Sequence, residues 1–325
     1  MVNELQKVVD RFLAAQISAP VAAMELLLAC PNVERVARTL PQLSGEPAEI
    51  RKLSALFSEH VEGCSTISVL LKSGLDSPEP ATTVEDGLAR VRRLFDYSVL
   101  HSEEASVALY SLGDSEMLAA ATAEAVRVFE SWGVLGPARD ALEIGCGIGR
   151  FLVALSPKLA TLVGIDVSRN MIEAARRRTQ KLDNAHATLA TGRDLSQFGD
   201  SSFDLVFSVD AFPYLVQSGR SLVETHFREV ARVLRPGGDF VIFNYAYGRS
   251  REQDKAEVTQ LAVSAGYSVE RLDETPFRIW NGIGFHLRKP TDELQGLGRC
   301  AQPDRGPPAL QALGCPQRSM RREPR

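Results

Sequence analysis

The chain has 325 residues, of which 44% are hydrophobic and 24% are charged, a mixture typical of globular proteins. Its formal net charge of -4 argues against a general nucleic-acid-binding protein, because phosphate neutralisation needs a basic surface. The cysteines are scattered and form no Cys-x-x-Cys pair, so neither a disulfide framework nor a metal site is expected. No apolar run is long enough to span a membrane, and charged residues interrupt the N-terminus early. We therefore expect a cytoplasmic protein.

The N-terminal third has apolar residues at helical spacing. The amphipathic runs lie at residues 5–13, 20–28, 50–57 and 88–95. This pattern predicts an all-helical N-terminal domain over residues 1–108, interrupted by a proline-containing linker at 77–83. It contains no set of residues with an evident chemical role. We interpret it as a cap or as an element that forms a homodimer; selection of a substrate is the alternative.

Residues 109–290 have a different pattern, in which short β-rich runs alternate with helical runs. The predicted strands are residues 141–144, 162–166, 187–190, 203–208, 239–244, 268–272 and 284–287. Such alternation is typical of a doubly wound, mostly parallel sheet. The last two strands are close together, so one of them is predicted to run antiparallel. Pro236-Gly237-Gly238 is predicted to end a helix and turn the chain into the fifth strand.

The C-terminal stretch, residues 291–325, loses this alternation. It contains many prolines and arginines and few large apolar residues. A segment of this composition cannot bury enough apolar surface to offset the entropy of ordering. We therefore predict a disordered tail.

The strongest local signal is an apolar run followed by Gly145, Gly147 and Gly149 at alternate positions. Glycines permit positive φ and let a ligand approach the backbone, and the following helix start offers free N–H groups. The spacing differs from the GxGxxG pattern of dinucleotide sites. Glu143 precedes the loop, and the second predicted strand ends at Asp166, whose carboxylate can accept hydrogen bonds from ribose hydroxyls. These features predict a site for a ligand that contains a nucleoside.

The order of motifs over residues 109–290 resembles that of the class I S-adenosylmethionine-dependent methyltransferases. The motifs are Glu143-x-Gly145-x-Gly147-x-Gly149, Asp166-Val-Ser-x-x-Met171, Phe203-Asp204-Leu205-Val206 and Arg232-Val-Leu-Arg-Pro-Gly-Gly238. The resemblance implies a Rossmann-like methyltransferase fold with a seven-stranded, mostly parallel α/β sheet. It also implies S-adenosylmethionine as the cofactor.

The resemblance implies which residues meet the methionine and ribose parts of this cofactor. Gly145, Cys146 and Gly147 are expected against the methionine part. Glu143 is expected to orient the ammonium through the loop or a water molecule. Asp166 is expected to bind the ribose.

At the adenine end, the resemblance implies that Val167 and Met171 flank the base. Gly192, Arg193 and Asp194 are expected at its edge, where Asp194 accepts from the exocyclic amine. Many relatives have an acid where Gly192 stands, so this part departs from the family pattern. A surface aspartate in a turn is the alternative for Asp194.

The acceptor is expected beyond the carboxyl ends of strands four and five, where open α/β sheets bind ligands. Val209 is expected beside the cofactor, and Tyr110, from a segment that forms a lid, above it. Tyr214 and His101 are the candidate catalytic residues, His101 because imidazole can act as a base near neutral pH. Other aromatic residues at these edges either line the pocket or close the core: Phe212, Tyr245, Tyr247, Phe277 and Trp280.

The predicted function is methyl transfer to a small-molecule acceptor by in-line displacement, which needs alignment of the reactants and exclusion of water. A general base is needed only if the acceptor carries a proton. Asp210-Ala-Phe212-Pro213-Tyr214 departs from the acid-Pro-Pro-aromatic motif of amino-methylating relatives, so no amine acceptor is inferred. The alternative is a non-catalytic S-adenosylmethionine-binding scaffold. An oxidoreductase and a nucleic-acid methyltransferase fit the glycine spacing and the charge less well.

Overall fold

The computed structural model describes residues 2–75 and 81–291. The N-terminal part is helical, as predicted: α1 (Val2–Leu13), α2 (Ala19–Ala29), α3 (Val33–Thr39), α4 (Pro47–Glu59), α5 (Val61–Lys72), α6 (Val84–His101) and α7 (Glu103–Val107). Side chains cap several of these helices. Ser18 accepts from the Val21 N–H at the start of α2, and Thr83 accepts from the Asp86 N–H at the start of α6. Residues 76–80, which overlap the predicted linker at 77–83, lie outside the described residues.

The rest of the described chain forms an α/β unit. Its elements are α8 (Ser115–Ser131), β1 (Gly136–Ile144), α9 (Arg150–Leu155), β2 (Leu159–Asp166), α10 (Arg169–Thr179), β3 (Ala185–Leu189), β4 (Phe203–Val209), α11 (Phe212–Ser218), α12 (Arg220–Val233), β5 (Leu234–Phe243), α13 (Arg251–Ala265), β6 (Ser268–Glu274) and β7 (Gly284–Arg288).

The strands form one seven-stranded sheet in the order β3-β2-β1-β4-β5-β7-β6. β1 to β5 are mutually parallel, and β7 runs antiparallel to both β5 and β6. The predicted mostly parallel sheet with one reversed strand is therefore confirmed. The strand order reverses between β1 and β4, and a ligand crevice is expected at the carboxyl ends of these strands.

The prediction for Pro236-Gly237-Gly238 was wrong in detail. α12 ends earlier, at Val233, and the three residues lie within β5. Gly237 has φ of +78°, and the β4–β5 register shifts across this segment. Its N–H donates to the Lys289 carbonyl over 2.8 Å. The chain is already extended at Leu234, so the helix ends before the motif. The motif therefore lies at an irregularity within a paired strand.

The N-terminal helices and one face of the sheet share a hydrophobic core. It contains Leu5 and Leu53 from the helices and Phe129, Phe207 and Phe243 from the α/β part. Residues up to Pro290 form one compact unit. The predicted domain boundary near residue 108 stays a prediction. The predicted tail lies outside the described residues from residue 292 onward. In the described part, no helix is long and apolar enough to cross a membrane.

The fold makes a prediction about Gly63, where α5 meets the chain before α8. A Cβ added there would lie 1.6 Å from the Leu112 carbonyl oxygen. Alanine normally stabilises a helix by about 0.5–1 kcal/mol relative to glycine. We expect Gly63→Ala to lower the free energy of unfolding instead, by about 1–3 kcal/mol, because the contact is backbone and cannot yield easily. Urea titration followed by circular dichroism measures the change.

Ser65→Ala is the matched control, since Ser65 is exposed on the same helix. A change within about 0.5 kcal/mol is expected for it. An alanine at position 63 that stabilises the protein would contradict the close approach of α5 to Leu112.

Candidate cofactor and acceptor site

A cavity of about 1280 Å³ lies at the carboxyl ends of β1, β2, β4 and β5. Residues that end these strands or directly follow them line it: Ile144, Gly145, Asp166, Val209 and Asp210. This is the position that the reversal of strand order predicts for a ligand.

The glycine loop between β1 and α9 has backbone angles that glycine adopts far more readily than any other residue. Gly145, Gly147 and Gly149 have φ of +76°, +50° and +79°, values that L side chains rarely adopt. A Cβ on Gly145 would lie 2.2 Å from the Ala211 Cβ, and one on Gly147 would lie 2.8 Å from Val107 Cγ1. The loop therefore presents bare backbone to the cavity.

Asp166 fixes the shape of this loop. One carboxylate oxygen accepts from the Gly147 N–H over 2.9 Å, and the other accepts from the Ser168 N–H over 2.9 Å. Burial raises the pKa of Asp166, and these backbone hydrogen bonds oppose the rise. Because Asp166 also lines the cavity, its carboxylate can accept hydrogen bonds from a bound ribose.

Glu143 lies beneath the loop and is 1% exposed. Its Oε2 has no hydrogen-bond partner among the described residues. Burial raises the pKa of Glu143 to about 8, opposed by the charge of Arg150. An unpaired buried carboxyl oxygen is costly, so this acid suits a ligand that brings an ammonium close. Glu143 does not itself line the cavity, which fits a contact made through the loop.

The predicted adenine end is lined by Val167, Met171, Gly192 and Asp194. A Cβ on Gly192 would lie 2.6 Å from Val167 Cγ1, so only glycine leaves this wall flat. Asp194 keeps one oxygen on Ser196, at 3.1 Å from its N–H and 2.6 Å from its hydroxyl. Its other oxygen is open to a donor.

The structure brings most predicted site residues together. Those that line the cavity are Tyr110, Gly145, Gly147, Asp166, Val167, Met171, Gly192, Asp194, Val209 and Tyr214. Four do not line it: Glu143, Cys146, Arg193 and His101. Their roles stay predictions.

Three of these four side chains have other surroundings. The Cys146 side chain is buried against Gly164. Arg193 points outward and pairs with Glu85 over 2.7 Å. His101 is exposed at the end of α6, with Nδ1 3.0 Å from the Tyr97 carbonyl.

The segment before α8, from α6 to Tyr110, covers the cofactor end of the cavity. Asp96 on α6 accepts from the Ser168 hydroxyl over 2.6 Å. Glu103 on α7 pairs with Arg177 and Arg178 on α10 at 2.7 and 2.8 Å. Tyr110 follows, and its ring stacks on Trp280 with centroids 5.9 Å apart. These contacts place the predicted lid over the glycine loop.

Two polar cavity residues that the predicted site lacked, Asp210 and Asn244, form a cluster with Tyr247, one of the predicted aromatic residues. Asp210 and Asn244 directly follow β4 and β5, with φ of +60° and +64°. Asn244 Nδ2 and the Tyr247 hydroxyl donate to Asp210 Oδ1 over 2.9 and 2.5 Å. The sequence carried a weak signal for this cluster, because Asp and Asn are the non-glycine residues that most readily adopt left-handed φ.

The predicted aromatic residues divide between pocket and core. Tyr247 and Trp280 line the cavity. Phe212 and Tyr245 are fully buried and stack on each other, with centroids 5.9 Å apart. Phe277 packs on Phe243 at 4.9 Å, so it closes the core.

The N-terminal helices form part of the cavity wall. They contribute Arg11, Val21, Met24, Glu25 and Leu28. The chain between α1 and α2 is tied to the β6–β7 loop: the Ser18 hydroxyl donates to the Ile279 carbonyl, and Asn281 Nδ2 donates to the Gln16 carbonyl over 2.8 Å. The helical part therefore contributes to the cavity wall as well as to the hydrophobic core.

Comparison with known proteins agrees with this geometry. Residues 142–242 match the family described as "Methyltransferase domain". Methyltransferase GfsG of Streptomyces halstedii is 30% identical over 157 residues, which cover 46% of this chain and 54% of that protein. Phosphoethanolamine N-methyltransferase 2 of Caenorhabditis elegans is 30% identical over 164 residues, covering 50% and 36%. The chain thus spans about half or less of these relatives.

Phosphoethanolamine N-methyltransferase 1 of Haemonchus contortus, solved with phosphoethanolamine and S-adenosylhomocysteine, matches 65% of this chain and 50% of its own at a TM-score of 0.50. With 16% identity, this likeness concerns the fold. The α/β part is a class I S-adenosylmethionine-dependent methyltransferase domain. Its Rossmann-like fold is the one that the motifs predict.

The site makes a prediction about Asp166. We expect Asp166→Ala to weaken S-adenosylmethionine binding by about 1–3 kcal/mol, because hydrogen bonds to a charged group are lost. Isothermal titration calorimetry measures the dissociation constant, and circular dichroism checks the fold. Asp183→Ala, at an exposed position in the same domain, is the control and should bind normally. An unchanged dissociation constant for Asp166→Ala would show that the ribose assignment is wrong.

A second prediction concerns Glu143 in the protein without ligand. Its folded pKa of about 8 exceeds the ordinary value of 4.5, so the folded state binds more protons between these values. The group therefore makes stability fall as pH rises through this window, by at most about 1.4 kcal/mol per pH unit. Glu143→Gln should remove this contribution, so that its stability relative to wild type grows with pH.

Urea titrations between about pH 5 and pH 8 measure this difference. Glu173→Gln, at an exposed position on α10, should follow the wild-type pH dependence. Parallel curves for wild type and Glu143→Gln would contradict the raised pKa.

Proposed function

We propose that this protein transfers the methyl group of S-adenosylmethionine to a small-molecule acceptor. The observation that carries the proposal is a single cavity lined both by the glycine loop with Asp166 and by a second group of residues, here called the acceptor chamber: Met24, Leu28, Tyr110, Tyr214, Asn244, Tyr247 and Trp280. The volume of the cavity, about 1280 Å³, exceeds the roughly 300–1,000 Å³ of an ordinary single-ligand pocket. This supports simultaneous binding of a donor and an acceptor.

The residues present suit the donor. The glycine loop would receive its methionine part, Asp166 its ribose, and Val167 and Asp194 its adenine. Glu143 supplies a buried carboxyl oxygen that lacks a partner among the described residues. When bound, the donor supplies a methyl carbon activated by a positively charged sulfur. The protein's own part is to align the acceptor with that carbon and to exclude water.

The lining of the acceptor chamber suits a compact, partly apolar acceptor molecule. Met24 and Leu28 from α2 face it together with Tyr110, Tyr214 and Trp280. Walls from these four separate segments enclose a small ligand better than an extended nucleic-acid strand. We therefore propose that the N-terminal helices select the acceptor, and that Tyr214 acts as wall and not as base. Dimerisation and a cytoplasmic location stay predictions.

The named relatives do not fix the acceptor. They include a phosphoethanolamine N-methyltransferase of Caenorhabditis elegans and a 24-methylenesterol C-methyltransferase of rice, whose names give chemically different acceptors. No feature of the described residues favours the non-catalytic alternative, because the glycine loop and Asp166 have the residues that a donor site needs.

Calorimetric titration with S-adenosylmethionine, S-adenosylhomocysteine and NAD tests the proposal. We expect dissociation constants of roughly micromolar order for the first two ligands and no binding of NAD. Transfer of labelled methyl to candidate acceptors would then be measured. Binding of NAD alone would refute the proposed function.

A further inference from the structure

Asp210 lines the cavity at the carboxyl end of the sheet. It directly follows β4, and the next residue, Ala211, packs so tightly on the glycine loop that a Cβ on Gly145 would lie 2.2 Å from the Ala211 Cβ. On its other side, Asp210 contacts Asn244 and Tyr247, which line the acceptor chamber. Under the proposed function, this carboxylate therefore lies beside the point where donor and acceptor meet.

The hydrogen bonds of Asp210 leave one oxygen available. Asn244 Nδ2 and the Tyr247 hydroxyl both donate to Oδ1. Among the described residues, no donor reaches Oδ2. Asn244 is itself fixed, because its Oδ1 accepts from the Ile283 N–H over 3.0 Å. The carboxylate is thus held in one orientation with Oδ2 free to accept a proton.

The surroundings make the charge of Asp210 sensitive to a bound cation. Burial raises the pKa of Asp210, whereas the hydrogen bonds from Tyr247 and Asn244 and the charge of Arg150 on α9 oppose the rise. Tyr110 also interacts electrostatically with Asp210. Arg150 interacts with the buried Glu143 as well, and its charge lowers the pKa of that acid. A positive charge within about 4–6 Å would lower the pKa of such a carboxyl by about 1–3 units.

We propose that Asp210 is the proton acceptor of the methyl transfer and that its charge follows the charge on the donor sulfur. This inference rests on the proposed function. While the sulfur is positive, Asp210 is ionised. As the acceptor's nucleophilic atom bonds to the methyl carbon, the S–C bond breaks and its electron pair stays on sulfur. The acceptor's proton then passes to Asp210 Oδ2, so the site keeps its net charge.

The proposal assigns the acceptor to molecules whose nucleophilic atom carries both a lone pair and a hydrogen, such as a hydroxyl, a thiol or a neutral amine with an N–H. Tyr247 is a positioning residue, because its hydroxyl holds Oδ1 and stabilises the ionised form. No redox partner or metal is required, since the transfer is balanced by the proton alone.

Binding of the donor and of its demethylated product tests the proposal without an acceptor. S-adenosylmethionine and S-adenosylhomocysteine share the same ammonium, carboxylate, ribose and adenine, so the ratio of their dissociation constants isolates the charge on sulfur. We expect the preference for the donor to increase as pH rises through the raised pKa of Asp210, by about tenfold for each unit by which the sulfonium lowers that pKa.

Asp210→Asn should make this preference independent of pH and lower it by about tenfold at the upper end, since one unit of pKa shift corresponds to a tenfold change. Tyr247→Phe should move the rise to higher pH, because the carboxylate loses a donor. Asp194→Asn is the matched control: it removes an acid from the far end of the same cavity and should weaken both ligands equally. Calorimetry in buffers of different ionisation enthalpy should detect more proton release with the donor than with the product.

A wild-type preference that does not change with pH would overturn the proposal. The wild-type rise persisting in Asp210→Asn would overturn it as well. If Asp210→Asn does not fold, the shift in Tyr247→Phe decides, and an unshifted rise counts against the proposal. Failure of both ligands to bind wild type would instead refute the proposed function.

Discussion

The site depends on one constraint, the left-handed backbone of the glycine loop and its attachment to β2. Gly145 and Cys146 both donate their N–H groups to the Ile165 carbonyl, over 2.8 and 2.9 Å, and Asp166 holds the Gly147 N–H. These bonds tie the end of β1 to the end of β2. The close contacts of Val107 and Ala211 then place the lid and the end of β4 around the same space.

The helical N-terminal part adds wall residues to the same cavity. Its core is continuous with that of the sheet, and the hydrogen bonds of Ser18 and Asn281 join it to the β6–β7 loop. A cap that shares a core with the catalytic domain can hold chamber walls in fixed positions. Under the proposed function, substitutions on α2 are expected to change acceptor choice while the donor site, built from β1 and β2, stays intact.

Much of this was predictable because it depends on local sequence. The glycine spacing, Asp166 and the alternation of strands are local signals, and helical periodicity identified the N-terminal helices. The contribution of α2 to the cavity was not predictable, since it depends on packing between segments far apart in the chain. His101 and Asp210 illustrate the same limit: residue chemistry favoured the histidine, whereas tertiary geometry exposes it and places the carboxylate beside the glycine loop.

The stacking of Trp280 on Tyr110 has a further consequence. The chain has two tryptophans, and the other, Trp132, stacks on His286 in the sheet core with centroids 5.8 Å apart. Only Trp280 lies in the cavity wall, and its indole packs against the segment that covers the glycine loop. The protein thus contains its own optical reporter: in a Trp132→Phe background, emission from Trp280 would follow ligand entry and movement of the cover in real time, without an attached dye.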